Sequence, residues 1–530
     1  MTLTPRQQHQ PQHIVVVGYG PVAARLAEEL LPSVRRGELA LSIIGAESTP
    51  AYNRVLVADL GVGRTTEDAI SVSDPAELIA AGVSVHMAVL VRRVDRARRG
   101  VLLSDGRRIN YDKLVFATGA RPVIPTLHGL NPDPTAQVPL PLGVSTLRDL
   151  ADAAVLRNAV ERQARVVVLG GGILGLEAAL AARDEGAHVT VVHHGAHTMG
   201  RSIDAGAGHT VAAALRARGI TVVSHARAVG VELSPSADGV PTFSGLLQEA
   251  GATVEGELLV LSCGVRPRIE VAAGAGLATD RGILVDHQLM AHHDHNVFAM
   301  GDCAQVRCLD TQCAECADSS GPLGLIGPGW RQAEWLAAFL IGSAATAVQL
   351  PAALPAVPVP GVPLPAERAP VIMLKARGVD VAAAGDVTAG PFEDVPGLAV
   401  SQWADPEHGK YVKMSTRGGV LAGFVSVGMP RAGAELTLLF ERGSELPADR
   451  SALLRLDGSD RDSNVSAAPD PARTVCRCAG VTEERIMAAV TAGCSTVPEI
   501  SATTRAGTGC GGCHGELKSL IEAHFAPAAA

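Results

Sequence analysis

Two stretches of the chain share one design. "HIVVVGYGPVAARLAEEL" starts at His13 and "ARVVVLGGGILGLEAALAARDEGAHVTVV" at Ala164. Each reads as an apolar strand, a glycine turn and an amphipathic helix, the opening of a doubly wound α/β domain. In the first, Gly18, Gly20 and Ala23 form GxGxxA; in the second, Gly170, Gly172 and Gly175 form the full GxGxxG. Glycines there let the backbone approach a pyrophosphate that rests on the helix N-terminus. A single such turn also occurs as an ordinary strand-to-helix connection. Two of them predict an α/β chain with two Rossmann-like dinucleotide-binding domains.

Later motifs separate their roles. "YDKLVFATGARP" carries Ala117, Thr118 and Gly119, and "NVFAMGDCA" carries Gly301 and Asp302. In two-dinucleotide flavoproteins the first returns the chain to the FAD domain. The second sets an acidic residue beside the ribityl–pyrophosphate. Glu47 ends the second strand, placed to accept from ribose hydroxyls. Together these predict FAD on the first unit. The second unit falls between the two halves of the FAD domain, where NAD(P) binds, with Glu177 just inside its helix. His193 stands where a carboxylate would select NADH, so rejection of a 2′-phosphate is lost. His193, His194 and Arg201 either favour that phosphate or are solvated loop residues, and NADH versus NADPH stays open.

The domain expectation follows. Residues 1–145 form the first part of the FAD domain, 146–262 the NAD(P) domain and 263–350 the second part of the FAD domain. A stiff Pro-rich linker covers 351–370. Short apolar runs between turns give a small β-rich, α+β domain over 371–457. After the polar linker "GSDRDSNVSAAPDPAR" comes a small helical module, 474–524. Within it Thr482 is an N-cap, and Thr496 with Glu499 gives a capping box. Helices so short, in a module of about fifty residues, need a bound metal centre to hold them together.

A net charge of −9 and an aromatic content of 3% give no basis for binding nucleic acid or anionic membranes. "MTLTPRQQHQPQ" lacks the apolar core of a signal peptide, and "EWLAAFLIGSAATAVQL" is too short and interrupted to span a bilayer. The expectation is a soluble, cytoplasmic protein. Ten cysteines in that compartment point to metal or redox use. Disulfide reductases of this fold carry an active-site CxxxxC or CxxC beside the flavin. Neither "STPAYNRVLVADLG" nor residues 151–262 hold a cysteine, so electrons must leave the flavin another way.

Cys476-Arg477-Cys478 and Cys510-Gly511-Gly512-Cys513 give CxC and CxxC with thirty-one residues between them. Four thiolates are what a [2Fe–2S] cluster requires. Zinc and disulfides are the alternatives, and CxC is unusual for zinc. Cys494 reads as a buried apolar thiol. Cys303, Cys308, Cys313 and Cys316 fall within fourteen residues, and Cys308-x4-Cys313-x2-Cys316 has plant-type ferredoxin spacing. These four are a candidate second metal or cluster site with its fourth ligand uncertain. A thiol-rich insertion or local disulfides are the other readings.

"VCRCAGVT" followed by "SATTRAGTGCGGC" resembles the bacterioferritin-associated ferredoxin-like [2Fe–2S] domain. "PAYNRVLV", "YDKLVFATGARP", "GGGILGLEAA", "CGVRPR", "GPGWRQA" and "LKARGVDVAAAGD" follow the order seen in a related group. They resemble the flavoprotein part of NAD(P)H-dependent nitrite reductase large subunits and the electron-transfer subunits of assimilatory nitrate reductases. The resemblance covers nearly the whole chain. It implies NAD(P)H oxidation at FAD, with hydride passing from nicotinamide C4 to flavin N5 and single electrons leaving through the cluster. It implies that Asn53, Arg54 and a helix start at Gly329 lie near the flavin, with packing and surface charge as the bland reading.

Large nitrite reductase subunits continue into a sirohaem domain with C-x5-C and C-x3-C ligands. Neither spacing occurs before Ala530, which implies an electron donor and not the site of nitrite reduction. The implied acceptor is the catalytic subunit of a nitrate or nitrite reductase, a molybdopterin or sirohaem protein; a homodimer is left open. The alternatives are a general ferredoxin or rubredoxin reductase, a subunit of an amino-acid or opine dehydrogenase, and a redox sensor.

Overall fold

The computed structural model describes residues 11–525 other than 134–137, 237, 311–312, 314–315, 317–320, 323, 349–363, 365–368, 377, 448, 458–472, 477 and 510. Most of the expected Pro-rich linker, nearly all of the second linker, and Cys510 therefore lie outside the described residues.

The first dinucleotide unit builds one edge-to-edge sheet of eight strands. Gln12–Val17 lies between Leu39–Ile44 and Lys113–Phe116, and Asp294–Ala299 follows on the far side. These pairs are parallel, with Val16 level with Ile43 and Val115. Helices cover both faces of such a sheet, which is why its strands are nearly continuous Val, Ile and Leu. The helix Pro21–Arg35 packs against Ile326–Val348 through a shared core with Leu26, Leu30, Leu336 and Leu340. That second helix begins at Ile326, three residues before the start expected at Gly329. Among the described residues no helix is long and apolar enough to cross a membrane.

The second unit builds a five-stranded parallel sheet with Arg165–Leu169 at its centre, flanked by His188–Val192 and Leu258–Leu261. An antiparallel pair, Ala120–Pro122 with Val265–Pro267, links the two units where the chain leaves one and returns to it.

The small C-terminal sheet has five antiparallel strands between Ile372 and Val427, backed by the helix Pro430–Arg442. One face makes its own core with Phe424 and Leu436. The other face contributes Val381, Tyr411 and Val425 to the same buried cluster as Leu176, Val189 and Val211 of the second unit. A buried ion pair crosses that seam. Lys413 Nζ donates to Asp204 Oδ2 at 2.9 Å, and Tyr411 donates to the same oxygen at 2.5 Å. Burial, then this carboxylate, raises the Tyr411 phenol far above its ordinary range.

The last module is three short helices over a core that includes Ile486, Ile500, Leu517, Cys476 and Cys513. The Thr482 side chain accepts from Arg485 N–H, and Thr496 with Glu499 forms a complete capping box.

Candidate functional site

At the first glycine turn, Gly18 has φ +115°, and a Cβ there would sit 2.1 Å from the Ala117 carbonyl oxygen. The turn and the "ATG" motif thus touch, and only glycine permits it. Gly20 is the N-cap of Pro21–Arg35 without a side-chain cap, and nothing lies within 4 Å of where its Cβ would be. An uncapped helix start with room beside its glycine is the arrangement that accepts a pyrophosphate. Ala23 is buried beneath it, and Gly301 packs over Val22. The space beside Gly119 is also open. Thr118 Oγ1 donates to the Arg268 carbonyl at 2.7 Å, and Asp302 accepts from Arg148 Nη2 at 2.8 Å. Glu47 already carries two protein partners, the Tyr52 hydroxyl at 2.9 Å and the Arg54 guanidinium. Burial raises the Tyr52 phenol well above its ordinary range.

The second turn repeats the construction. Gly170 has φ +131°, with a Cβ position 2.1 Å from the Ser262 carbonyl oxygen; Gly175 packs against Gly170 and Ser262; and Gly172, the uncapped N-cap of Ile173–Asp184, opens on free space. The turn lines a cavity of about 1820 Å³ whose walls also include Glu177, His193, Arg201, Arg331 and Cys478. His193 follows the strand end and is only 4% exposed, its ring against Gly171 and its Nε2 without a partner among the described residues. It is therefore not a solvated loop residue. Burial, and then His194, His197 and His225 around it, lowers its pKa and keeps it neutral near pH 7.

Three of the four expected cluster ligands come together in the last module. Cys476 Sγ and Cys478 Sγ lie 3.8 Å apart, Cys513 shares the buried cluster around Cys476, and Gly507 N–H donates to Cys476 Sγ at 3.5 Å. A Cβ on Gly509 would lie 2.4 Å from Cys478 Sγ, so the loop carrying these glycines wraps closely over the thiols. Cys510 lies outside the described residues. Cys494 is half-buried, not fully buried as its sequence context suggested, with its thiol 3.5 Å from Thr503 Oγ1.

The module is clamped to the first unit. Asn53, 1% exposed, donates through Nδ2 to the carbonyls of Thr508 and Gly509, and Arg505 pairs with Glu28 at 2.8 Å. Cys478, one of the expected ligands, consequently also lines the cavity beside the second glycine turn. The sequence placed Asn53 near a flavin by resemblance; its grip on the loop 455 positions away carries no local signal.

Residues 6–317, more than half of the chain, match the pyridine nucleotide-disulphide oxidoreductase model, and residues 474–523 match the BFD-like [2Fe-2S] binding domain. The chain belongs to the pyridine nucleotide-disulphide oxidoreductase family. As a member of that family it is an FAD-dependent NAD(P)H oxidoreductase, here with a [2Fe–2S] module and no cysteine before Cys263 to serve as a flavin-side disulfide.

Curated relatives extend the match. A nitrite reductase [NAD(P)H] of Bacillus subtilis (strain 168) is 28% identical over 96% of this chain and 57% of its own length. An assimilatory nitrate reductase electron transfer subunit of the same organism is 28% identical over 96% of this chain and 59% of its own length. The chain thus spans little more than half the length of these relatives. Among solved structures, the covalent putidaredoxin reductase–putidaredoxin complex covers 84% of this chain and 97% of its own at a TM-score of 0.67 and 22% identity, a likeness of fold.

The middle cysteines depart from expectation. Cys303 is fully buried, its thiol donating to the carbonyls of Phe116 at 3.4 Å and Met300 at 3.3 Å, apart from the other three. Cys303 closes the single turn Gly301–Cys303, directly before the strand Ala304–Val306, and its side chain joins the core of the first unit. Cys308, Cys313 and Cys316 gather instead with His287, a residue the sequence reading missed.

Proposed function

We propose that this chain oxidises NAD(P)H and delivers single electrons to the catalytic partner of a nitrate or nitrite reductase, a molybdopterin or sirohaem protein. The observation that carries the proposal is the position of Cys478, its thiol beside that of Cys476 and its side of the module in the wall of the cavity that the second glycine turn lines. When bound, FAD supplies two-electron to one-electron conversion and the [2Fe–2S] cluster supplies one-electron carriage.

The residues divide the work. Gly18, Gly20, Ala23, Glu47, Ala117, Thr118, Gly119, Gly301 and Asp302 would hold FAD. Gly170, Gly172, Gly175, Glu177, His193 and Arg201 would hold the nicotinamide nucleotide. Cys476, Cys478, Cys510 and Cys513 would ligate the cluster. Asn53 and Arg505 hold the module against the cavity, so that electron transfer does not wait on a domain swing. The curated relatives named for nitrite and nitrate reduction support the choice of acceptor.

Anaerobic titration of the full chain with NADH and NADPH, followed by absorbance, EPR and iron analysis, tests the route. About two irons per chain in a cluster that takes up one electron, and reduction of an added sirohaem nitrite reductase or molybdopterin nitrate reductase, are expected. Flavin reduction without a reducible iron–sulfur signal would sink it.

A further inference from the structure

The strands Ile283–Val285 and Ala304–Val306 run parallel, with Val285 level with Val306. Two residues beyond each register partner stand His287 and Cys308, so sheet pairing alone delivers them to one edge. Cys313 and Cys316 return to the same place. His287 Nε2 is 3.3 Å from Cys313 Sγ and 3.4 Å from Cys316 Sγ, and Cys316 Sγ is 3.5 Å from Cys308 Sγ. All four ligand atoms lie within 4.8 Å of one another. The Cys308 N–H donates to Cys316 Sγ at 3.2 Å, as amides do to metal-bound thiolates.

We propose that His287, Cys308, Cys313 and Cys316 form a closed tetrahedral site for one zinc ion. Zinc–sulfur bonds of about 2.3 Å and zinc–nitrogen bonds of about 2.0–2.1 Å put tetrahedral ligand atoms roughly 3.6–3.8 Å apart. The observed separations need only small adjustment to reach that. A two-iron cluster divides its four ligands between two metals and spreads them farther. A disulfide would join one sulfur pair at about 2.05 Å and has no use for the imidazole that contacts two thiols. The spacing C-x4-C-x2-C falls within the range of paired zinc ligands.

Binding would displace the thiol protons and leave three thiolates, one neutral imidazole and a site charge of −1. Zinc has no redox chemistry in proteins, so the site is a staple and not a second stop for electrons. Its position gives it a structural task. The stapled stretch leads into the helix starting at Ile326, whose Arg331 lines the nucleotide cavity beside Cys478.

Elemental analysis of the full chain, expressed with zinc, tests this. About one zinc beside about two irons per chain is expected. The Cys308→Ser/Cys313→Ser double variant should lose zinc at least tenfold and keep its irons, and Cys303→Ser should keep both. Zinc X-ray absorption on the unaltered protein needs no variant to fold and should show three sulfurs and one nitrogen. About four irons without zinc, a disulfide among these cysteines in unreduced protein, zinc unchanged in the double variant, or zinc bound mainly by oxygen would each overturn the proposal.

Discussion

The side-chain amide of Asn53 donates to the carbonyl of Thr508 at 2.8 Å, tying the first unit to the loop that leads to Cys513. Asn53 is buried, so its removal leaves two carbonyl oxygens without their donor, at a cost of about 1–3 kcal/mol. Asn53→Ala should leave flavin reduction by NAD(P)H near its original rate and slow the passage of electrons to the cluster. Stopped-flow absorbance separates the two phases. Equal slowing of both would assign Asn53 to the flavin alone.

Gly509 and Gly515 make a matched pair of probes. A methyl group on Gly509 would press on Cys478 Sγ at 2.4 Å, whereas one on Gly515 meets nothing within 4 Å. Gly509→Ala should lower iron content well below that of the unaltered chain. Gly515→Ala, inside the helix His514–Phe525, should keep its iron and gain about 0.5–1 kcal/mol of stability. Iron assay and the EPR amplitude of the reduced protein read the difference.

Lys413 is 3% exposed at its side chain and pairs with Asp204, which also caps the helix Ala205–Ala217 through Ala207 N–H. Lys413→Met strands a carboxylate that is mostly shielded from water. A loss of about 3 kcal/mol is expected, measured as a lower guanidinium midpoint. A change below about 0.5 kcal/mol would mean that water already screens the pair.

Acid should destabilise the chain through His193. Burial lowers its pKa below the ordinary 6.5, so the unfolded chain takes up this proton at a higher pH than the folded one. Stability therefore falls as pH drops through about 6.5 toward the folded value, and the loss persists below it. His193→Gln should flatten that part of the profile of Tm against pH between about 7 and 5. An unchanged slope would locate the sensitive proton elsewhere.

How much of this was legible in the sequence depended on the range of each signal. Gly18 and Gly170 announce themselves because a strand, a sharp turn and a helix are local, and the close backbone approaches at Ala117 and Ser262 follow from that turn. The Thr496–Glu499 capping box is equally local. Proximity in sequence groups Cys303 with the other middle cysteines and gives no reason to include His287. Cys303 sits in the core because the turn Gly301–Cys303 packs there just ahead of a sheet strand. His287 arrives through a strand register that no spacing rule encodes. Resemblance sets Asn53 near a flavin, whereas the partner it grips lies in another module, out of reach of any local pattern.

Val381, Tyr411 and Val425 fill one core together with Leu176, Val189 and Val211. Stripping away the small sheet would bare a greasy wall on the nucleotide unit, so neither piece is a removable cassette. A chain that reads as four modules along its length will melt in fewer steps than it has modules, the nucleotide unit and the small sheet going together.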